Sequence, residues 1–162
     1  MHNIYIQSDA RSEHILQNSK DDLTVCIIQP SLSKNKHVFF GLLFSKRCSV
    51  LDCKVGKSYY KEFQLVKNNK IVAVAEVVSW IPILPFMPKD ALYIGACVTA
   101  KEERGNGYYP YLLCQIQDNF PDKELYIVVD DNNKASMRGV EKAGFRCVYT
   151  GRKTRFGRYV VD

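Results

Sequence analysis

Residues 104–110 read Arg-Gly-Asn-Gly-Tyr-Tyr-Pro, a combination that could bind an anion through the backbone. Glycine permits positive φ angles and close backbone approach, and proline is tolerated in the first turn of a helix. The stretch therefore predicts a loop that runs into a helix N-terminus. Free N–H groups and the helix dipole at such an end favour a phosphate or carboxylate. The amides of residues 105–109 could form this cradle, whereas Pro110 has no N–H to donate.

The elements that must position this loop are clearest from residue 62 onward. The run EFQLVKNNKIVAVAEVVSW contains two β-rich segments separated by Asn68 and Asn69, and asparagine tolerates the left-handed conformation of a tight hairpin turn. Residues 91–100, ALYIGACVTA, form a mostly apolar run of strand length that leads directly into the loop. A helix is predicted over about residues 108–119, with an apolar stripe made by Leu112, Leu113 and Ile116.

A second strand and helix follow this first pair. ELYIVVDD predicts a buried strand, and NNKASMRGVEKAGF predicts a helix that Asn133 caps and Gly144 ends, with Phe145 packing back. The order of elements predicts two parallel strands with a right-handed connection. Residues 146–162 predict a strand and a turn into another strand. Of the first 60 residues, LTVCIIQP predicts a strand, whereas HVFFGLLFSK could be helix or strand.

Composition limits the class of protein. With 162 residues, of which 46% are hydrophobic, we expect a single domain over residues 1–162. The net charge of +6 favours an anionic partner, either nucleic acid, an acidic surface or a phosphorylated small molecule. Six scattered cysteines without a CxxC pair predict buried free thiols in a reducing compartment and no metal site. The N-terminal segment turns polar early, and prolines interrupt VVSWIPILPFM, so a cytoplasmic protein without a membrane span is expected.

Two signatures at the expected offset resemble the GNAT superfamily of acetyl-CoA-dependent N-acetyltransferases. The loop of that family reads Arg/Gln-x-x-Gly-x-Gly/Ala, and residues 104–109 match it, with Tyr109 where a small residue is usual. The second signature, Asn-x-x-Ala/Ser followed by Tyr-x-Lys-x-Gly-Phe-like residues, matches Asn133, Ser136 and EKAGF at 141–145. The resemblance covers about residues 60–150. It implies an α/β (α+β) GNAT fold, a mixed central sheet flanked by helices, with the fourth and fifth strands of the family splayed apart.

The resemblance also implies acetyl-CoA as the cofactor, with pantetheine between the splayed strands and an amide near Val98 polarising the thioester carbonyl. The implied cofactor-binding residues are Cys97, Val98, Thr99, Arg104, Gly105, Asn106, Gly107, Tyr108, Tyr109, Asn133 and Ser136. Further basic residues either sit near the adenosine phosphates or form a solvated basic surface: Lys101, Lys134, Arg138 and Lys142.

The catalytic side chains are less well defined. The tyrosine that many GNAT enzymes use to protonate the leaving thiolate aligns with Val140, so that acid is absent, and Tyr93, Tyr108 or a water could replace it. Glu76 and Asp130 are candidate bases, because a carboxylate whose pKa is raised by burial suits this role. Alternatively, Glu76 is an outward-facing strand residue and Asp130 is a turn residue at the end of its strand. No histidine is near Cys97 in sequence, which favours a packing role over an acetyl-cysteine route. Trp80, Phe86 and Met87 either line an acceptor pocket or pack in the core.

The sequence is compatible with more than one acceptor and more than one function. Residues 85–113 with the Asn133 helix resemble GNAT proteins of capsule, lipopolysaccharide and exopolysaccharide biosynthesis, which implies an amino sugar, free or nucleotide-linked, as the small-molecule amine acceptor. A protein N-terminus, a polyamine or an antibiotic amine are alternatives, and the loss of the helix tyrosine also allows a non-catalytic acyl-CoA sensor. The basic tail GRKTRFGR offers few aromatic residues for stacking, so no nucleic-acid partner is expected. We expect a monomer or homodimer.

Overall fold

The computed structural model describes residues 1–8, 23–28, 60–79, 84–155 and 157–162. The strands are β1 (His2–Gln7), β2 (Leu23–Ile28), β3 (Tyr60–Lys67), β4 (Lys70–Ser79), β5 (Leu92–Thr99), β6 (Leu125–Asp130), β7 (Phe145–Lys153) and β8 (Tyr159–Val161). The helices are α1 (Tyr108–Asn119) and α2 (Lys134–Lys142), and a 3₁₀ turn spans Lys101–Glu103. The interpretations of HVFFGLLFSK, Trp80, Cys48 and Cys53 fall outside the described residues.

The strands form one mixed sheet in the order β2-β3-β4-β5-β6-β1-β7-β8. β5 and β6 pair in parallel, and the other neighbouring strands pair antiparallel. The predicted parallel pair, the strand at residues 23–28 and the C-terminal pair of strands are therefore confirmed. The mixed sheet with its two helices agrees with the predicted fold class.

The hairpin between β3 and β4 turns at two asparagines. Asn68 has a φ of 49° and Asn69 a φ of 60°, and the flanking Lys67 and Lys70 are paired. Two successive residues with positive φ make the turn whose twist matches a tight hairpin. The predicted hairpin and its turn are confirmed.

Replacing Asn69 tests this turn. Asn69→Ala is expected to lower the free energy of unfolding by about 1 kcal/mol, because alanine is disfavoured at positive φ, whereas Asn69→Gly should not lower it. Urea unfolding of the two variants measures the difference. Since Asn69 is exposed, an equal loss in both variants would mean that backbone conformation is not the cause.

Strand β1 was not predicted from the sequence. It lies between β6 and β7 and pairs antiparallel with both. Ile4 is 0% and Tyr5 is 1% exposed, and they face opposite sides of the sheet, where each joins a separate apolar cluster. The Tyr5 hydroxyl also donates to Glu141 Oε1 at 3.2 Å. The only local sequence signal for this strand is the run Asn-Ile-Tyr-Ile, which is rich in β-forming residues.

Each face of the sheet has its own core. The predicted stripe of α1 is confirmed, because Leu112, Leu113 and Ile116 are fully buried against one face. Helix α2 is capped as predicted: Asn133 Oδ1 accepts from the Ser136 N–H at 3.1 Å. The C-terminal prediction is also confirmed, since Gly144 has a φ of 85° and Phe145 is 3% exposed in the same core. The opposite core contains Ile4, Val78, Leu84, Met87, Ala91 and Tyr126.

The prediction of buried cysteines needs correction. Among the described residues, Cys26, Cys97, Cys114 and Cys147 are all free, but the first three are only partly buried and Cys147 is exposed. The reason for Cys147 is its place in β7, where most side chains face solvent. An apolar sequence neighbourhood thus did not determine how deeply these thiols lie.

Candidate cofactor site

Strands β5 and β6 separate part-way along their length. Only residues 92–94 of β5 pair with residues 125–127 of β6. Beyond Ile94, β5 carries an extra residue: Ala96 has a φ of 46°, and the pairing with β4 shifts register between Val74 and Glu76. Such a bulge bends the strand that carries it. The result is an opening between residues 95–99 of β5 and residues 128–130 of β6, which is the predicted splay.

Part of the β5 backbone is directed toward this opening. The Ala100 N–H donates to the Val72 carbonyl at 2.9 Å, and Val98 lies opposite Val74 in the same ladder. Because backbone groups alternate between the two edges of a strand, Val98 points its amide to β4, and Cys97 and Thr99 turn theirs to the opening. The amides directed toward the opening are therefore those of Cys97 and Thr99, two of the three β5 residues that the resemblance implies as backbone contacts.

The glycine loop presents a second set of amides. Gly105 has a φ of 89° and Gly107 a φ of 79°, and no heavy atom lies within 4 Å of the position that a Cβ would take at either residue. Within the described residues, the amides of residues 105–109 donate to no backbone carbonyl. They lie at the N-terminus of the 12-residue helix α1, whose N-cap is Gly107. This open set of donors fits a phosphate group.

A polar network braces the loop against the β3–β4 hairpin. Lys67 Nζ donates to the Tyr108 hydroxyl at 2.7 Å and lies 3.9 Å from Glu103 Oε2. Asn106 Nδ2 donates to the same Glu103 oxygen at 3.1 Å. On the β5 side, Arg104 Nε donates to the Thr99 carbonyl at 3.3 Å. The side chains of Arg104, Asn106 and Tyr108 thus hold the loop in shape, which leaves its amides to face outward.

Tyr109 links the loop to helix α2. Its ring packs on Gly139, where a Cβ would lie only 2.6 Å from Tyr109 Cδ1. The Tyr109 phenol lies near Ser136 and Cys97, and both side chains act on its pKa. Burial and the neighbouring Cys97 raise the pKa of Tyr109, so the phenol stays protonated. A glycine inside a helix costs about 1 kcal/mol relative to alanine. Gly139 within the predicted helix is therefore the sequence signal for this contact, which was not predicted.

Glu76 and Tyr93 are brought together near the bulge. Glu76 is 5% exposed and lies opposite Gly95, so it is not the outward-facing residue considered above. The Tyr93 ring covers Gly95, since a Cβ there would lie 2.7 Å from Tyr93 Cε1. Burial, followed by the charges of Tyr159, Cys97 and Glu76, raises the pKa of Tyr93. Tyr93 therefore stays protonated and is a weak acid, so its hydroxyl can donate a hydrogen bond.

Asp130 lies at the other edge of the opening, at the end of β6. It is exposed, its Oδ1 accepts from the Asn132 N–H at 2.9 Å, and its Oδ2 is 3.6 Å from His2 Nε2. The Asn132 N–H is the main cause that lowers the Asp130 pKa. Asp130 therefore lacks the raised pKa that the sequence argument required of a base.

Solved structures of other proteins share this architecture. An acetyltransferase of the GNAT family from Colwellia psychrerythraea superposes with a TM-score of 0.55 at 13% identity, over 91% of this chain and 52% of that one. The chain has the GNAT fold. A tandem GNAT protein from the clavulanic acid biosynthesis pathway gives a TM-score of 0.53 at 11% identity, over 90% of this chain and 50% of that one.

A functionally unknown conserved protein from Staphylococcus epidermidis ATCC 12228 also superposes on this chain, with a TM-score of 0.55 at 11% identity over 91% of this chain and 57% of that one. This chain thus spans between half and three-fifths of the length of these structures. No protein-family model and no curated protein sequence matches it.

The surroundings of the opening in this GNAT fold are basic on one side. Lys134 and Arg138 are exposed on α2, and Lys101 is exposed beside the loop. In the part of the chain that the structure describes, no three His, Cys, Asp or Glu side chains are grouped to hold a metal ion. Neither described helix has the length and apolar character needed to cross a bilayer.

The Cys97 thiol should react slowly with alkylating agents. Burial raises its pKa to about 12, although the nearby Tyr109 hydroxyl acts in the opposite direction. Because the thiolate is the reactive form, we expect Cys97 alkylation at pH 8 to be at least about 100-fold slower than that of an ordinary thiol. The rate should keep rising as pH approaches that value. Peptide mass spectrometry after iodoacetamide treatment measures it, with the exposed Cys147 as the internal reference. Equal labelling of both would contradict the raised pKa of Cys97.

Proposed function

We propose that this protein transfers an acetyl group from acetyl-CoA to a primary amine. One observation carries the proposal: the amides of residues 105–109 adjoin an opening in the sheet whose β5 edge presents the Cys97 and Thr99 backbone groups. One end of this arrangement suits a phosphate and the other suits an extended amide-containing chain. Coenzyme A carries a pyrophosphate and an amide-containing pantetheine arm in a single molecule.

The residues present fit the two parts of coenzyme A. The loop amides would hold the pyrophosphate, with Lys101, Lys134 and Arg138 adding positive charge. The edge of β5 at Cys97 and Thr99 would hold the pantetheine arm by strand-like pairing. When bound, acetyl-CoA supplies an acyl group activated as a thioester.

The chain itself would contribute alignment, polarisation and proton transfer. Fixed amides near a carbonyl and the alignment of two reactants can together supply several kcal/mol without a dedicated side chain. Glu76 is the candidate base for the ammonium proton, since it is buried beside the bulge. Tyr93, which stays protonated, would orient groups by donating a hydrogen bond. Asp130 is more suited to holding its neighbour His2 than to accepting a proton.

We favour an amino sugar, free or nucleotide-linked, as the acceptor, on the narrower resemblance of residues 85–113 and α2 to enzymes of polysaccharide biosynthesis. A protein N-terminus, a polyamine or an antibiotic amine would use the same chemistry. A non-catalytic acyl-CoA sensor is the second candidate. It is favoured by Val140, which is 0% exposed in the core, so that this position of α2 supplies no acid.

Two measurements in sequence test the proposal. Calorimetric titration with acetyl-CoA should show micromolar binding, and thiol release should then be screened over amino sugars, nucleotide amino sugars, polyamines and peptides. Binding with turnover of any amine supports the transferase. Binding without turnover across the panel favours the sensor, and absence of binding excludes both.

A further inference from the structure

We infer that the acceptor carries a phosphate or diphosphate group, which a basic hairpin between β7 and β8 binds while the amine faces the opening in the sheet. The basic hairpin is defined by four cationic side chains: Arg152, Lys153, Arg155 and Arg158. The inference rests on the proposed function and deepens it, because it favours a nucleotide-linked amino sugar over a free one.

Positive charge is concentrated in the basic hairpin. Its four cationic residues lie within residues 150–158, which include no acidic residue, and all four are exposed. No carboxylate of the described residues forms an ion pair with them. Uncompensated charge held in one place attracts anions, and an arginine side chain can bind a phosphate through two parallel N–H groups. The basic hairpin therefore suits a phosphate group.

Hydrogen bonds within the turn hold the basic hairpin in shape. The Thr154 N–H donates to the Arg158 carbonyl at 2.7 Å, and the Arg158 N–H donates to Thr154 Oγ1 at 3.1 Å. The Gly157 N–H donates to the Thr154 carbonyl at 2.9 Å. Strand pairing continues up to this turn, where Lys153 lies opposite Tyr159. The charges thus project from an ordered backbone, which reduces the ordering that ligand binding requires.

The basic hairpin lies at the end of the sheet where β5 and β6 separate. His2 of β1 is paired with Asp130 at the end of β6 and with Gly151 of β7. Both β6 and β7 run antiparallel to β1, so the residues after Gly151 extend beyond this end of the sheet. From Asp130, the turn at Thr154 is two strand spacings to the side and three residues farther along, about 10 Å in each direction. A sugar ring linked to a diphosphate can span this separation.

A row of side chains connects the basic hairpin with Asp130 on one face of the sheet. Lys153 Nζ lies 5.6 Å from the centre of the Tyr159 ring. The rings of Tyr159 and His2 pack edge to face at 5.1 Å, and His2 Nε2 is 3.6 Å from Asp130 Oδ2. Tyr159 packs against the core of the face opposite to α1. Because the phosphate loop leads into α1, coenzyme A would enter from the helix side, which leaves this face for the acceptor.

Charge would orient the acceptor along this row. Asp130 and Asp131 at the end of β6 repel a phosphate and attract an ammonium group, whereas the basic hairpin does the reverse. An acceptor with an amine at one end and a phosphate at the other is therefore bound best when its amine lies toward the opening.

Nucleic acid is a poorer fit to the same charges. Single strands are bound by basic residues together with aromatic rings on which the bases stack. Tyr159 is the aromatic residue of this region whose side chain the structure describes, and it is occupied by Lys153 and His2. The observations thus favour a small phosphorylated ligand.

The test compares Arg155→Gln/Arg158→Gln with Lys89→Gln/Lys123→Gln, which removes two exposed charges just before β5 and β6, at the opposite end of the sheet. Calorimetry measures the Kd of uridine diphosphate and of uridine in protein saturated with coenzyme A, so that the phosphate loop is occupied. We expect uridine diphosphate to bind at least about 10-fold more tightly than uridine, and the hairpin variant to lose this difference, as when a charge-assisted hydrogen bond is removed. The control variant should change either Kd less than about 2-fold.

Two further readouts separate a phosphate subsite from a general effect of charge. With an amino sugar that is acetylated, the hairpin variant should raise the KM of the nucleotide-linked form about 10-fold, while kcat and the KM of the free sugar change little. Arg155→Lys/Arg158→Lys, which keeps both charges, should bind uridine diphosphate more tightly than the glutamine variant does.

The outcomes distinguish this inference from the proposed function. If the protein binds coenzyme A but not uridine diphosphate, or if the hairpin and control variants bind uridine diphosphate equally, the acceptor subsite is wrong although the cofactor site stands. If the hairpin variant loses affinity for coenzyme A but not for dephospho-coenzyme A, which lacks the 3′-phosphate, the hairpin belongs to the cofactor site. Tighter binding of a single-stranded oligonucleotide than of uridine diphosphate, lost in the same variant, would assign the hairpin to nucleic acid. If the unmodified protein does not bind coenzyme A, the proposed function fails and the inference fails with it.

Discussion

Gly107→Trp is expected to abolish acetyl-CoA binding. The indole would occupy the open space beside residue 107, where no atom lies within 4 Å of the Cβ position, and would cover the amides of the loop. Losing two hydrogen bonds to a charged phosphate costs about 3–6 kcal/mol, which corresponds to at least about 100-fold in Kd. Calorimetric titration of the variant with acetyl-CoA measures the loss.

Gly157 supplies the matched control for this variant. It has a φ of 80°, close to the 79° of Gly107, but lies in the turn between β7 and β8. Gly107→Ala and Gly157→Ala should therefore lose similar stability, about 1 kcal/mol, because alanine is strained at such angles. Gly157→Ala should bind acetyl-CoA like the unmodified protein. If folded Gly107→Trp, checked by circular dichroism, retained full affinity, the loop could not be the phosphate site.

Ile4→Ala is expected to lower the free energy of unfolding by about 2–5 kcal/mol. Ile4 lies in β1, an interior strand between β6 and β7, and is 0% exposed, so the truncation leaves a cavity in the core beside Met87 and Tyr126. Urea unfolding measures the change. The prediction depends on the place of β1 in the sheet and on no assumption about function.

Ile71→Ala is the corresponding control in β4. Ile71 is 50% exposed, and its truncation should cost less than about 1 kcal/mol. If the two variants lost the same stability, β1 would not be a buried interior strand. A loss of less than about 1 kcal/mol in Ile4→Ala would likewise mean that Ile4 is not buried in the core.

The sequence predicted those elements whose ends are marked by capping or turn residues close by in the chain. Helix α1 spans the predicted residues, and Asn133 and Gly144 mark the ends of α2 by capping chemistry that acts over a few residues. The hairpin turn at Asn68 and Asn69 was equally local. The loop at Gly105 and Gly107 could be proposed as a binding site from sequence because its glycine spacing is also a local signal.

The features that sequence reasoning missed depend on contacts between distant segments. Strand β1 has only six residues, and its partners come more than a hundred residues later. The ring of Tyr109 and the space at Gly139 belong to two different helices, and neither residue alone indicates the other. The burial of Glu76 and the exposure of Cys147 depend on how the neighbouring strands are covered, which apolar neighbours in sequence do not reveal.

The insertion of β1 between β6 and β7 has a consequence for the order of folding. β1 leaves the ribosome before its partners are synthesised, and contacts such as Tyr5 to Glu141 span 136 residues. Pairings this remote in sequence slow folding, because a long loop must close before any contact forms. We therefore expect the β3–β4 hairpin to form early and β1 to dock late. Until it docks, β6 and β7 present unpaired edges, the condition under which chains associate wrongly.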